Sequence, residues 1–491
     1  MLFQAFLILI ITLVLWIWFT KRRSYWKNRG VLQVNAPLWK FTFGDRSLPE
    51  YFKEIYEKYD EEQLGMYLGS VPAVMLKNMD DIQAVLAGDF QSFYKRGILM
   101  NKSDKLGDSV LFIDEFGRWK ILRTKLTPVF TSLRLKTMFY SIEACARHFV
   151  DLIESDESLR TKPFNVMYTY TAASIGAAVF GIDTKGKNFM NSPFVDMAWK
   201  ALQPSFSTNL TFLVGNISPT LHRLLQLKFF AEHEKFFIGA VKTVLEARRN
   251  AEKRFDFIDL CLDLQKNGTM KDPTTGYELE PTDELLAAQA FFFFIAGADT
   301  TANAIHFTLL ELAANQDILA KVHANIDEVF QDGKTVLSYE DLDKLQYLDM
   351  VVNEGMRKYP PIGNIQRLCT KDTALPSNGL KIEKNTAVIL PVYALHRDPK
   401  LFPDPDLFDP ERFSPERVKD IHHYSNLAFG GGNRVCIGLR FARLQMKAGI
   451  TWLLRRFTLA EQPYKPDRFE RSAFSLRDPD AAYKLIPRNF K

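Results

Sequence analysis

The stretch from Thr282 to about Asn315 sets the frame for the rest of this 491-residue chain. Thr282 is a suitable N-cap, and Asp283 and Glu284 follow in the first turn, where negative charge suits the helix dipole. At about 1.5 Å per residue a helix of that length extends roughly 50 Å, enough to cross a whole domain. Its centre, Phe294-Ile295-Ala296-Gly297-Ala298-Asp299-Thr300-Thr301, breaks the greasy pattern on either side. A glycine and polar residues in mid-helix are locally unfavourable, which is expected at a functional site; a packing notch for a neighbour is the plain alternative.

Around this helix, residues 115–360 carry helical periodicity with few turn signals, whereas residues 370–415 are rich in Pro, Gly, Asn and Asp. Within the latter, Ser377-Asn378-Gly379 predicts a hairpin turn and Thr386 to Leu390 a short buried strand. The expected class is mainly α with a minor β component. No repeat or second linker interrupts the body, so residues 38–491 are expected to form one catalytic domain after a linker at 21–37. The 63 basic and 58 acidic residues are evenly spread, with a net charge of +5, which argues against a nucleic-acid binder. Four scattered cysteines lack C-x-x-C spacing and predict a reducing compartment, and His233-Glu234 does not continue into a zinc-protease motif. The 40 phenylalanines fit either an interior shaped for something flat and greasy or an ordinary aromatic core.

From Leu2 to Phe19 the chain is almost continuously apolar and then stops at Lys21, Arg22 and Arg23, with Trp16 and Trp18 beside that cluster. Roughly 18 to 20 such residues span a bilayer's hydrocarbon layer, so residues 1–20 are expected to be an uncleaved transmembrane anchor. Basic residues on its carboxyl side place the body in the cytoplasm. The acceptor patterns at Asn101, Asn209, Asn216 and Asn267 are then expected to carry no glycan.

The segment Phe429-Gly430-Gly431-Gly432-Asn433-Arg434-Val435-Cys436-Ile437-Gly438 precedes a helical pattern from Leu439 to Leu454. Cys436 thus stands at a helix amino terminus, where the dipole and free N–H groups are expected to lower a thiol's pKa and favour a metal-binding thiolate. The glycines allow a tight turn and close approach to a planar ligand. A phosphate-binding loop would end in Gly-Lys-Ser/Thr, which is absent, and a lone cysteine is ordinarily a small buried hydrophobe. The spacing F-x-x-G-x-R-x-C-x-G, carried by Phe429, Gly432, Arg434, Cys436 and Gly438, resembles the heme-binding signature of the cytochrome P-450 family. Four further motifs match that family in its order: W-x-x-x-R at Trp119 and Arg123, A-G-x-D-T-T at Ala296 to Thr301, E-x-x-R at Glu354 and Arg357, and P-E-R-F at Pro410 to Phe413. Two departures are Asn433, where many microsomal members have Pro, and a hinge after the anchor reduced to Pro37.

The resemblance implies the cytochrome P-450 fold, heme b as cofactor and Cys436 as the iron ligand, whose thiolate favours O–O cleavage. It implies Asp299 and Thr300 as a proton relay to oxygen, with Ala296 and Gly297 leaving room above the ring. Phe429 belongs to the cofactor loop, and Trp119, Arg123, Arg367 and Arg434 are the implied partners of the heme propionates. Glu354, Arg357 and Arg412 are implied as a fold-locking ionic cluster. Substrate contacts are implied at residues 97–112 and 203–215, Phe291 to Ala296, Ile362 to Ile365 and near Phe474.

The expected reaction inserts one atom of O2 into a lipophilic substrate such as a xenobiotic, hormone or lipid. Because no G-x-G-x-x-G stands in a strand–helix context, the electrons are expected from NADPH through a separate cytochrome P-450 reductase, attracted by Lys120, Lys125, Arg440, Arg443 and Lys447. The flavour is closest to microsomal insect enzymes, which places the protein in the endoplasmic reticulum membrane. A heme-thiolate isomerase or dehydratase, which needs no reductase, and a non-enzymatic heme or gas-binding protein are the competing readings.

Overall fold

The protein is described by a computed structural model covering residues 24–36, 46–161, 163–182, 192–203, 205–331, 333–466, 468–471 and 475–488. The expected anchor and Phe474 lie outside the described residues. The central helix runs Asp283–Ala314 as expected, with the Thr282 side chain accepting from the Leu285 N–H. It ends where Asn315 turns back, its side-chain amide donating to the Glu311 carbonyl at 2.8 Å. Its length and apolarity would suffice to cross a membrane, but the helix is buried over most of its surface, which is why it is greasy on nearly every face. Helices Pro163–Phe180, Ala231–Arg248, Gln346–Lys358 and Leu439–Arg456 pack against it.

A smaller lobe is built on a five-stranded sheet of β1 (Leu32–Gln33), β2 (Gln63–Leu68), β3 (Val71–Leu76), β4 (Ile365–Leu368) and β5 (Ala387–Leu390). The spatial order is β1-β2-β3-β5-β4, with β1 parallel to β2, β3 parallel to β5, and the other two pairings antiparallel. β5 is the strand expected at 386–390; each of its residues is buried, and it is paired along both edges inside the sheet. The expected hairpin turn joins Thr373–Ala374 to Lys381–Ile382, with Gly379 at φ +71°. Two apolar clusters result, one around the central helix and one behind the sheet.

The stretch read as a linker is, from Tyr25 to Ala36, part of this lobe. The Trp26 side chain is 1% exposed, donates Nε1–H to the Met66 carbonyl at 2.9 Å, and lies flat on Gly65, where a Cβ would come within 2.3 Å of the indole. Polar spacing hid this, because the apolar partners of Trp26 come from β2.

The ionic cluster forms as expected. Arg357 grips Glu354 in a two-pronged contact, Nε–Oε2 2.7 Å and Nη2–Oε1 2.9 Å, and Arg412 Nε lies 3.4 Å from Glu354 Oε1. All three are buried, and Arg357 spends its remaining donors on the carbonyls of His396 and Pro405, both at 2.7 Å. Charges so deeply desolvated persist because the Glu354 carboxylate offsets both cations and the Arg357 guanidinium is hydrogen-bonded on every nitrogen.

Candidate active site

The cysteine loop is held by its own backbone. Gly430 N–H donates to Leu427 O at 2.8 Å, Val435 N–H to Gly432 O at 3.0 Å, and Cys436 N–H to Phe429 O at 3.0 Å. Gly430 and Gly432 take φ of +72° and +64°, the left-handed region where only glycine is unstrained. A Cβ on Gly432 would lie 1.8 Å from the Leu86 carbonyl oxygen. At Gly432 the close approach that requires glycine is to the protein's own backbone at Leu86. Asn433 is exposed on the turn, so its departure from proline leaves the loop intact. Arg443 lies over the Phe429 ring at 6.0 Å, and the helix Leu439–Arg456 begins after Gly438.

Cys436 is solvent-accessible, yet burial raises its thiol pKa, with the Gly438 N–H and then Arg123 and Arg96 opposing the rise. A side chain that is both accessible and enclosed faces an internal hollow. The expected lowering by the helix dipole is not what dominates, because Cys436 precedes the first helical residue by three positions and desolvation outweighs the dipole. A metal bound at this sulfur would deprotonate it, since a coordinating thiol gives up its proton.

Around this hollow gather four arginines from four different segments. Arg123, on the helix Phe116–Leu126, donates to the Val435 carbonyl at 2.8 Å. Arg434 donates to the Ile113 carbonyl at 2.9 Å and stacks over Trp119 at 4.7 Å. Arg367 sits on β4 at 1% exposure, and Arg96 precedes the tight turn at Gly97. Burial and then neighbouring guanidinium charge bring Arg96 down to about 10 and Arg434 to about 9, and the same causes lower Arg367 well below the ordinary range. Asp114 is the carboxylate among them, and its Oδ1 and the Nε atoms of Arg96, Arg367 and Arg434 are buried without hydrogen-bond partners. Such a surplus of repelling cations requires an anion with more than one charge. Sequence reasoning found Trp119, Arg123, Arg367 and Arg434; it missed Arg96, which no spacing rule marks.

On the central helix Ala296 is exposed although Ile295 and Ala298 on either side are buried, so the helix opens onto an interior space at that point. Thr300, one turn on, is half-buried and donates its hydroxyl to the Ala296 carbonyl at 2.6 Å. Gly297 does not widen this space as expected: a Cβ there would lie 2.1 Å from Ile175 Cδ1, so it is a packing notch for the helix Pro163–Phe180. Asp299 is buried, with its carboxylate Oδ1 3.6 Å from Nη1 of Arg477, itself fully buried and also paired with Glu470 at 2.9 Å. Burial raises the Asp299 carboxyl pKa, opposed by Arg477, Ser475 and Asn303. The Phe291 to Phe294 run is core: Phe291 packs on Phe237, Phe292 on Phe112, Phe293 on Phe257 and Phe294 on Phe180.

The chain's similarities agree with this geometry. Residues 31–485 match the family model described as cytochrome P-450. The chain belongs to the cytochrome P-450 family. It is 33% identical to cytochrome P-450 6k1 of Blattella germanica, over 92% of this chain and 90% of that one. It is 32% identical to cytochrome P-450 6B6 of Helicoverpa armigera, over 91% and 90%, and 32% identical to the probable cytochrome P-450 6a20 of Drosophila melanogaster, over 94% and 93%. As a cytochrome P-450 it is a heme-thiolate monooxygenase that binds heme b and uses O2 on lipophilic substrates. The residues fit that group: a heme carries two carboxylates, which answer the arginine surplus, and an iron, which answers the accessible cysteine.

A cleft of about 420 Å3 adjoins the arginines through Lys95 and Asp114. It joins Gly97 to Leu99 with Thr211, Phe212 and Gly215, from two of the segments implied for substrate, and adds Asn216 and, from the β2–β3 turn, Leu68 and Val71, which sequence reasoning missed. A larger surface groove of about 740 Å3 beside Cys145 and His148 is lined by none of the site residues. The five basic residues expected to attract a reductase are partly neutralised. Lys120 pairs with Asp272 at 3.2 Å, Arg443 with Asp349 at 3.0 Å, and Lys447 is largely buried against the Leu342 carbonyl. Arg440 is exposed and bonds Ser132, and Lys125 has no ion-pair partner among the described residues.

Proposed function

We propose that Cys436 would ligate the heme iron through its sulfur, and that Arg96, Arg123, Arg367 and Arg434, the last stacked on Trp119, would hold the heme carboxylates. The observation that carries this reading is the convergence of four guanidinium groups, that of Arg123 half-buried and the others enclosed, on the hollow that Cys436 faces. The bound heme supplies reductive activation of O2, and a thiolate ligand directs it towards O–O cleavage. The chain's part is to deliver protons and keep bulk water out. Thr300 presents a hydroxyl beside Ala296, where the buried helix segment opens, and Asp299 next to it is a carboxyl whose pKa is raised by burial and opposed by Arg477, the pair suited to passing protons.

The substrate reaches this space through the cleft lined by Leu68, Val71, Ile98, Leu99, Phe212 and Leu368, whose apolar walls favour xenobiotics, hormones or lipids. NADPH-cytochrome P-450 reductase supplies the electrons, with Lys125 and Arg440 the more available of the basic residues. An endoplasmic reticulum seat is supported by Phe206, Leu210, Ile217, Leu221 and Leu224, exposed along the helices Phe206–Ile217 and Pro219–Leu224, which would rest in a lipid surface.

The reduced, carbon monoxide difference spectrum tests the ligand: a thiolate-type Soret band is expected, and a histidine-type band would refute it. With reductase, Thr300→Ala is expected to keep the fold and the spectrum, because its hydroxyl bonds only within its own helix turn, while diverting NADPH from product to peroxide. Unchanged coupling would remove Thr300 from the relay.

A further inference from the structure

His396 is fully buried, and both of its ring nitrogens are engaged. Nδ1 lies 2.9 Å from the carbonyl oxygen of Arg357, and Nε2 lies 2.9 Å from the backbone nitrogen of Leu427. A carbonyl can only accept and an amide N–H can only donate, so the tautomer follows: Nδ1 carries the proton and Nε2 offers its lone pair. Arg357 returns the contact by donating Nη1–H to the His396 carbonyl at 2.7 Å while holding Glu354 with its other donors.

Leu427 stands two residues before Phe429, at the entrance to the cysteine loop. Its carbonyl accepts from Gly430 N–H, and the Phe429 carbonyl accepts from Cys436 N–H. An unbroken path of short contacts therefore runs from the buried Glu354–Arg357 pair through one imidazole to the backbone that carries the cysteine. The ring has little freedom to leave it, packing edge-on against Phe402 with centroids 5.9 Å apart. We infer that His396 is a positioning residue for Cys436: its neutral ring transfers the rigidity of the ionic cluster to the turn that aims the sulfur. This rests on the reading of Cys436 as the ligand.

The ring must stay uncharged for the device to work, since an imidazolium has two donors and would face the Leu427 N–H donor to donor. Burial and then the Arg357 charge bring its pKa down to about 3, so the proton stays off Nε2 across the working range. The ionic cluster thereby gains a second consequence. It fixes the helix Gln346–Lys358 and, through His396, the loop.

The test compares the full-length holoenzyme with His396→Phe, which keeps a ring without nitrogens, and His396→Gln, which keeps one donor and one acceptor. Leu319→Ala, in the other apolar cluster, serves as a control for general destabilisation. Two quantities are read: hydrogen exchange of the Leu427 amide, and the lifetime of the thiolate-type Soret band in the ferrous carbon monoxide complex. His396→Phe is expected to speed Leu427 exchange about fivefold, the equivalent of one net hydrogen bond, and to shorten the band's lifetime. His396→Gln falls between it and the parent, and Leu319→Ala lowers the melting temperature without moving either quantity. If His396→Phe matches Leu319→Ala in both at equal thermal stability, the inference is overturned. If His396→Phe does not accumulate folded, the same criterion applied to His396→Gln decides. A parent enzyme without a thiolate band would instead defeat the ligand reading, whatever the Leu427 exchange shows.

Discussion

Alanine at Gly432 is the most exacting perturbation of the cysteine loop, because its effect follows from two distances and an angle. The added Cβ would lie 1.8 Å from the Leu86 carbonyl oxygen and 2.5 Å from its carbon. Non-bonded carbons prefer separations of about 3.5 Å or more, so the loop must withdraw from Leu86 by roughly 1 Å or more. An L-residue at φ +64° adds about 1–2 kcal/mol of its own. With about 1–3 kcal/mol for overpacking, the expected destabilisation is on the order of 3 kcal/mol. Gly430→Ala shares the unfavourable backbone, φ +72°, but meets only Ile365 Cδ1 at 3.7 Å, so about 1–2 kcal/mol is expected there. Gly438→Ala has neither problem, with φ −94° and its nearest neighbour at 3.9 Å; it should be neutral or stabilising by about 0.5 kcal/mol through a less flexible unfolded chain. Urea midpoints of the three variants, read with the fraction of thiolate-type carbon monoxide complex, should rank Gly438→Ala first, then Gly430→Ala, then Gly432→Ala. Equal midpoints for Gly430→Ala and Gly432→Ala would show that the Leu86 contact does not govern the loop.

Gly297→Ala should destabilise the protein, and adding Ile175→Val, which removes the clashing Cδ1, should restore most of the loss in thermal melts; lack of rescue would reject the notch. Glu354→Gln leaves Arg357 and Arg412 buried without their carboxylate and should cost roughly 3–5 kcal/mol in chemical denaturation, against less than about 1 kcal/mol for a surface pair. Burial raises the carboxyl pKa of Asp299 and of Glu470, with Arg477 opposing both rises. The folded state thus keeps those protons to higher pH than the unfolded chain, and stability from them is lost as pH rises through that interval. Arg477→Met should enlarge the effect, so the melting-temperature gap to the parent should widen from acidic to neutral pH; a constant gap would contradict it.

Much of the fold was legible because its signals are local. The Thr282 cap, the turn at Gly379 and the apolar Ala387–Leu390 strand each depend on residues a few positions apart. The same holds for Glu354 and Arg357, which share a helix face three residues apart. Arg412 needed the motif, not the spacing, to be placed beside them. The Phe291 to Phe294 run was open between a ligand pocket and a core until its rings were seen spread around the helix, each against a different partner.

What the sequence determined by itself was the family and the reaction class, because the spacing of its motifs, each local to one loop or one helix, resembles that family's. What tertiary structure decided was the surroundings of each group. Arg96 joins the arginines, Arg477 reaches Asp299, Trp26 enters the sheet lobe, Gly432 yields to Leu86, and His396 meets Leu427, all across separations that no local pattern records. The thiol shows the difference most plainly. Its place before a helix foretold a lowered pKa, but desolvation is a property of everything packed around a site, and it reversed the sign.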